Sequence, residues 1–517
     1  MEASEVLSET RAGASPTRQA KPVGSRSFRD GARYALYALA LAVSISTWFI
    51  AIRAPLWLDE TVSFFVIKGG FSEIMSRQGW PGVPAYSYIL WLWTKAMGTA
   101  EITLRIPSIL AMLGAAYLLY RAARELFDWD VAIIAAVVFC LHPIVIFESI
   151  DVRPYALGAL AITFSILTLV HLRRSNSNWL AALFGLSAAC IVYFHFLFMV
   201  ILPALAICFF ALKIGDRKSS GRQLVVAPLA FAVAFLPVIP GLQYMFHTSG
   251  AHSFAEAPTL LELGSTLALR WLAFILVGTV LVAVATRRLD LQSHFEGWPI
   301  LLSASLALVP ILILYGVSVG TSIRVFEFRY RLVAVPGIAL CWALIVSRID
   351  SRALRLLFCM AIVATTAYQY FDSPPFKLHG ITWKYALEFV ETNASADNAP
   401  VLICSDLPEA DHMPMPVGSA AKDSGILAPI TYYKLSVPVV ALPRALNHEA
   451  IRIGLEFMRE AAQRHERFLA LAWEPSYGTL DWIASNASGT YDVRELGVFD
   501  GIKVLEFIPQ APANASR

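Results

Sequence analysis

Between Tyr34 and Phe371 the chain passes repeatedly through apolar stretches of roughly 17 to 21 residues, broken by short polar or charged segments. Lipid offers a bare backbone no hydrogen bonds, so such stretches cross a bilayer as helices that satisfy their own N–H and C=O groups. With 57% hydrophobic and only 15% charged residues, the chain lies outside the range of an ordinary water-soluble globule. The expected fold class is a polytopic α-helical membrane protein. Its apolar runs fall near residues 33–53, 105–123, 131–149, 155–171, 179–195, 197–213, 224–240, 268–286, 298–318, 331–347 and 354–371, which makes about eleven spans across ~30 Å of hydrocarbon.

Charge sets the expected orientation. The tail over residues 1–32 carries Arg11, Arg18, Lys21, Arg26 and Arg29 before any apolar run, and Arg33 stands at the first one, as in a cytoplasmic segment. Val83–Gly98 is apolar too, but a helix of that length reaches only ~24 Å, so it is expected to lie at the interface or re-enter. It then belongs to a long first outer loop, residues 54–104. This choice places Arg121/Arg124, His171–Arg174, Lys213/Arg217/Lys218, Arg287/Arg288 and Arg348/Arg352/Arg355 on the cytoplasmic side, with the N-terminus in and the C-terminus out.

Beyond Phe371 the composition becomes that of a soluble chain, with Pro374-Pro375 at the boundary. Helices are expected over Trp383–Thr392, Glu449–His465 and Leu480–Asn486, and strands over Pro400–Ser405, Arg467–Trp473 and paired within Val493–Ile508. Residues 372–517 therefore form a small extracytoplasmic α/β domain, after a transmembrane domain over 33–371. Cys404 is the only cysteine in it, so it holds no internal disulfide. Neither a zinc-hydrolase nor a P-loop signature occurs, and no internal repeat suggests a two-halved transporter.

Polar groups gather at the expected outer face. Trp57-Leu58-Asp59-Glu60 puts adjacent acids where the first span leaves the bilayer, a costly place that marks functional candidates. The aromatic and basic residues of the same loop also suit an interfacial anchor. A second cluster, Glu148-Ser-Ile-Asp151-Val-Arg153-Pro-Tyr155, lies between the third and fourth spans, where Asp151 and Arg153 could equally form a local charge pair. The third, Arg324 with Glu327-Phe328-Arg329-Tyr330-Arg331, sets arginines on the outer side against the usual bias. An anionic ligand or lipid headgroups would explain them. His142-Pro143, deep in the third span, marks a kink.

In order, Trp57-Leu-Asp-Glu60, Arg105-Ile-Pro-Ser108, Arg153-Pro-Tyr-Ala-Leu157 and Arg329-Tyr330 resemble the bacterial family 39 glycosyltransferases of the GT-C fold. That group includes protein O-mannosyltransferases, aminoarabinose transferases of lipid A and lipopolysaccharide-core galacturonosyltransferases. The resemblance spans roughly residues 33–345 and leaves the C-terminal domain uncovered. It implies an enzyme of the cytoplasmic (inner) membrane that moves a sugar from a polyprenyl-phosphate donor to an acceptor at the extracytoplasmic face. The acceptor would be a glycolipid, a polysaccharide or a protein; no nucleic acid is involved.

Within that reading Arg105, Arg153 and Arg329, with Tyr330, hold the donor phosphate, since guanidinium matches phosphate geometry. Asp59 is the expected catalytic base for the acceptor hydroxyl, Glu60 is expected to orient it or to help bind the acceptor, and Asp151, Tyr155 and Arg331 are expected to bind substrate. One carboxylate on the acceptor side implies inversion. A divalent metal is conceivable, but no ligand set demands one, and metal-independent transfer is expected. A transporter or flippase would instead need polar residues spaced through its spans. A polymerase or ligase of lipid-linked glycans would place its functional residues in a large late loop.

Overall fold

The computed structural model describes residues 23–78, 85–215, 221–248, 256–268, 271–290, 297–372, 382–416 and 418–510. Most of the basic tail and the Pro374-Pro375 boundary lie outside these residues. Among them, eight helices are long and apolar enough to cross a membrane: Gly31–Phe49, Glu101–Leu126, Tyr155–Leu172, Phe196–Ile214, Gln223–His247, Gly297–Gly320, Arg329–Val346 and Arg352–Tyr370. Leu260–Leu267 and Leu272–Ala285, bent by 56° at their junction, make a ninth if they act as one span.

The expected count of about eleven is therefore not reproduced by length. The segments expected at 131–149 and 179–195 appear as the shorter apolar helices Trp129–Cys140 and Asn178–Phe194. The first is cut short by His142-Pro143. Proline cannot continue the hydrogen-bond ladder, so a new helix, Pro143–Glu148, starts with Pro143 in its first turn, and His142 Nδ1 accepts from Ile144 N at 3.2 Å as its cap. The expected kink is thus a full break, and it delivers Glu148 and the following loop to one end of the bundle. Ala85–Met97 is a helix of only 13 residues, about 20 Å long, too short to cross.

Helix packing in the bundle is close. A Cβ on Gly337 would come within 2.3 Å of Ala307 N, so only glycine lets the Val335–Val346 helix lie against Gly297–Gly320. One apolar core runs through the bundle from Tyr37 to Val363.

The C-terminal domain is a five-stranded sheet in the order β2-β1-β3-β5-β4. Its strands are β1 Val401–Cys404, β2 Val439–Leu442, β3 Phe468–Trp473, β4 Tyr491–Phe499 and β5 Ile502–Pro509. β1 pairs in parallel with both β2 and β3, while β5 is antiparallel to β3 and β4. Val401 and Ile403 face one apolar layer and Leu402 and Cys404 the other, so β1 is central and buried on both sides. Helices Lys384–Ala394, His448–Gln463 and Tyr477–Ala487 fall where they were expected.

This domain grips the segment that follows the first span. Tyr433 Oη accepts from Leu56 N at 2.8 Å and also lies 3.3 Å from Glu101 Oε1; Lys384 Nζ pairs with the same Glu101 oxygen at 3.3 Å. Asp423 meets Lys68 and Arg77, and Trp57 forms an antiparallel bridge with Thr382.

Candidate active site

The two acids of the first loop occupy the first turn of the Leu58–Ile67 helix, with Trp57 extended as its cap. Carboxylates there satisfy free N–H groups and complement the positive end of the helix dipole. Adjacent positions on a helix point in different directions, and that sends the two side chains to different environments.

Glu60 turns inward and is fully buried. Its Oε1 accepts from Arg105 Nε at 3.0 Å and Val152 N at 3.1 Å, and its Oε2 from Arg105 Nη2 at 2.7 Å and Trp57 N at 3.2 Å. Arg105, likewise 0% exposed, donates its remaining N–H groups to Ile52 O at 2.8 Å, Ala54 O at 2.6 Å and Pro55 O at 3.2 Å. Every nitrogen of this guanidinium is engaged by protein. The pair ties the end of the first span, the Glu101–Leu126 helix and the Val152 loop around the acidic turn. Arg105 was expected at the donor phosphate; in the structure its guanidinium is spent on Glu60 and backbone carbonyls, and Glu60, expected to orient Asp59 or to help bind the acceptor, faces Arg105 rather than Asp59.

Asp59 turns the other way, onto two arginines, with 19% of its side chain exposed. Its Oδ2 is ion-paired with Arg329 Nη1 and lies 3.9 Å from Arg153 Nη2, while Arg153 Nη1 reaches Asp59 O at 3.5 Å. Burial works to raise the Asp59 pKa, but the cations of Arg153 and Arg329 outweigh it and hold the carboxyl below its ordinary value. Arg153 Nε is buried without a hydrogen-bond partner among the described residues.

Aromatic rings wall the cations. The Arg329 guanidinium sits 5.1 Å from the Trp57 ring and 6.0 Å from the Tyr155 ring, and that of Arg153 lies 5.9 Å from Tyr155. The His195 ring is 5.0 Å from Tyr155 and 5.1 Å from Tyr330. Asp151 closes the group: its Oδ1 accepts from Trp57 Nε1 at 2.9 Å, its backbone O accepts from Ser108 Oγ at 2.6 Å, and its carboxyl hydrogen-bonds that of Glu148. Burial, reinforced by the negative charge of Glu60, raises the Asp151 carboxyl; the Trp57 hydrogen bond and Arg153 oppose this.

Arg331 is not brought to this cluster. Its Nη1 donates to Thr266 Oγ1 at 2.8 Å, its Nε to Glu327 O at 3.3 Å, and its guanidinium lies 4.9 Å from the Phe326 ring. Tyr433 and Asp406 of the C-terminal domain do reach the neighbourhood, and neither was foreseen, because no local pattern announces a contact made across hundreds of residues. Among the described residues no group of three His, Cys, Asp or Glu side chains is placed to hold a metal ion.

Residues 81–244 match the family model described as dolichyl-phosphate-mannose-protein mannosyltransferase. No curated protein sequence matches the chain. Among solved structures, ArnT from Cupriavidus metallidurans in the apo state aligns with a TM-score of 0.57 at 11% identity, covering 92% of this chain and 98% of ArnT. The same protein bound to undecaprenyl phosphate aligns at 0.56 and 10% identity with the same coverage. The chain thus has the GT-C glycosyltransferase fold that its ordered motifs resemble, including the C-terminal domain, with the family match confined to residues 81–244.

Proposed function

We propose that this protein is a membrane glycosyltransferase that moves a sugar from a polyprenyl-phosphate donor to an acceptor hydroxyl. The observation that carries this reading is the Asp59–Arg153–Arg329 cluster: one partly exposed acid against two aromatic-walled cations, one of which keeps an unspent N–H. Undecaprenyl phosphate bound to a protein of the same fold supports a lipid-phosphate donor.

In the reaction, an acceptor hydroxyl oxygen attacks the anomeric carbon while the bond from that carbon to the phosphate oxygen breaks. The electron pair of that bond leaves with the lipid phosphate, and the hydroxyl proton passes to Asp59. Single displacement inverts the anomeric centre. Phosphate departs without protonation, so the demand is for cations where charge grows, and Arg153 and Arg329 meet it. Tyr330 and Tyr155 flank those cations, and the Asp151 carboxyl beside them offers an acceptor to a sugar hydroxyl. Because these cations supply the charge stabilisation, the transfer needs no metal.

Donor binding also releases the base. A phosphate arriving at Arg329 competes with Asp59 for its charge, weakens the ion pair and lets the Asp59 carboxylate regain basicity. The reaction is assigned to the extracytoplasmic face of the cytoplasmic membrane, with the N-terminus in and the C-terminal domain out, in keeping with the basic loops. A test is transfer of labelled sugar in membranes supplied with lipid-linked donor. Asp59→Asn should abolish transfer while the protein accumulates normally, and undiminished transfer would remove Asp59 from the reaction.

A further inference from the structure

Two carboxyls stand behind the cations of the site. Glu148 is the last residue of the Pro143–Glu148 helix, and Asp151 lies in the short loop that leads to the Tyr155–Leu172 helix. Each is only 1% exposed, and their carboxyls are hydrogen-bonded to each other. An ionised carboxylate only accepts, so a hydrogen bond between two carboxyls requires a proton on one of them. Burial favours the same state, because two like charges in contact and out of water resist ionising together.

The charged and titratable groups around the pair come from several elements. Trp57 and Glu60 face it from the acidic turn and Tyr86 from the Ala85–Met97 helix; Arg153 and Tyr155 face it from its own loop, and Arg329 from the late span. His195, beyond Tyr155, faces the same two arginines. Asp151 Oδ1 also holds the Trp57 indole N–H at 2.9 Å, and the Trp57 ring lies 5.1 Å from the Arg329 guanidinium, so the pair meets that cation through a ring as well as through charge. Glu60 and Arg105 cancel each other. Arg153 and Arg329 are left against Asp59 and the pair. With one shared proton this group is neutral; a second proton leaves a positive charge in excess, and the loss of both leaves a negative one.

A phosphodiester donor brings a fixed negative charge, so its binding depends on how many protons the pair holds. Burial and the charge of Glu60 push the Asp151 carboxyl up to about 7, against the Trp57 hydrogen bond and the cations of Arg153 and Arg329. The pair therefore exchanges a proton near neutral pH. An anion held by Arg153 and Arg329 favours the more protonated form, so donor binding tightens as pH falls through that range and weakens as it rises. Asp59, held below its ordinary value, exchanges no proton there.

We propose that Glu148 and Asp151 are positioning residues for the donor: they share a proton, set the charge that Arg153 and Arg329 present to phosphate, and take up a further proton when that anion binds. This rests on the glycosyl-transfer reading and makes the protonated pair part of donor recognition. The proton comes from solvent, forms only an O–H bond on the pair, and returns to solvent when the lipid phosphate departs.

The test uses full-length protein in nonionic detergent and undecaprenyl methyl phosphate, a diester whose charge does not change near neutral pH. Its affinity is measured by isothermal titration calorimetry on either side of neutral pH, in buffers of different ionisation heat, so that proton uptake is read together with binding. Wild type should bind about tenfold more tightly on the acid side, the worth of one buried charge near the phosphate, and should take up protons as it binds. The double variant Glu148→Gln with Asp151→Asn keeps the shape and a hydrogen bond but cannot titrate; it should bind equally on both sides, without uptake. His195→Gln removes the other titratable group that faces these arginines and should keep the wild-type dependence. A wild type without pH dependence or uptake would overturn the proposal. So would a double variant that retains them, or a His195→Gln variant that loses them. If the double variant fails to accumulate, wild type and His195→Gln decide the matter between them. Wild type that binds no diester at any pH would remove the lipid-phosphate reading, and this proposal with it.

Discussion

The Asp59 carboxylate is ion-paired with the Arg329 guanidinium, 270 positions further along the chain. The pair joins the first outer loop to the start of a late span, and the chemistry proposed here needs it to weaken. Asp59→Asn removes the anion but keeps the shape of the side chain. We expect transfer to fall by about 10² to 10⁴ at normal folding, the usual worth of a general base. Undecaprenyl phosphate should bind to this variant at least as tightly as to wild type, because the competitor for Arg153 and Arg329 has gone. Weaker binding would show that Asp59 helps to hold the donor.

Arg329→Ala should weaken donor binding by about tenfold to a hundredfold, the loss typical of a hydrogen bond to a charged group. Arg329→Lys should not restore it, because an ammonium cannot reproduce the planar fork that fits both phosphate and the Trp57 ring. The measurement is equilibrium binding of undecaprenyl phosphate to each purified variant. An unchanged affinity in Arg329→Ala would assign this residue to lipid headgroups.

Glu60 and Arg105 should behave as structural partners. Both are fully buried and bound to each other through two hydrogen bonds. Removing one partner strands a buried charge, so Arg105→Ala should cost roughly 3–5 kcal/mol of stability. Thermal unfolding in detergent reads this directly. A variant that melts with wild type but fails to bind donor would return Arg105 to the phosphate.

The pH response separates free and donor-bound enzyme. With its native pKa held below the ordinary 3.8, Asp59 contributes stability that is complete above 3.8 and lost only as pH falls through the lower native value. In the reaction, the acid limb of kcat/KM reports the free enzyme and that of kcat the bound complex. If donor phosphate weakens the Asp59 ion pair, the limb of kcat should lie at higher pH than that of kcat/KM. A limb of kcat at or below that of kcat/KM would show that the donor leaves the ion pair undisturbed.

Much of this was legible in the sequence for physical reasons. Apolar length announces spans, and the arginines Arg324, Arg329 and Arg331 on the expected outer side run against the charge bias, so that cluster stood out before any contact was known. Burial was not legible. Asp59 and Glu60 are adjacent and chemically alike, and only the inward turn of Glu60 onto Arg105 separates their roles. Arg331 shared the motif of Arg329 but turns toward Thr266. The segment at 131–149 had the length of a span in composition, yet His142-Pro143 divides its helix. β2 is four residues directly after Pro438, too short for alternation to register. Tyr433 lay beyond the reach of motif reasoning, since its partners, Leu56 and Glu101, come from the far end of the chain.

The central claim is that Asp59 activates an acceptor while Arg153 and Arg329 hold a departing lipid phosphate. Its most direct test is mass spectrometry of envelope glycans and lipids from a deletion strain carrying either the wild-type gene or Asp59→Asn at equal protein level. The account predicts that a glycan or lipid gains the mass of a sugar with wild type and not with Asp59→Asn. Full recovery of that mass with Asp59→Asn would contradict it.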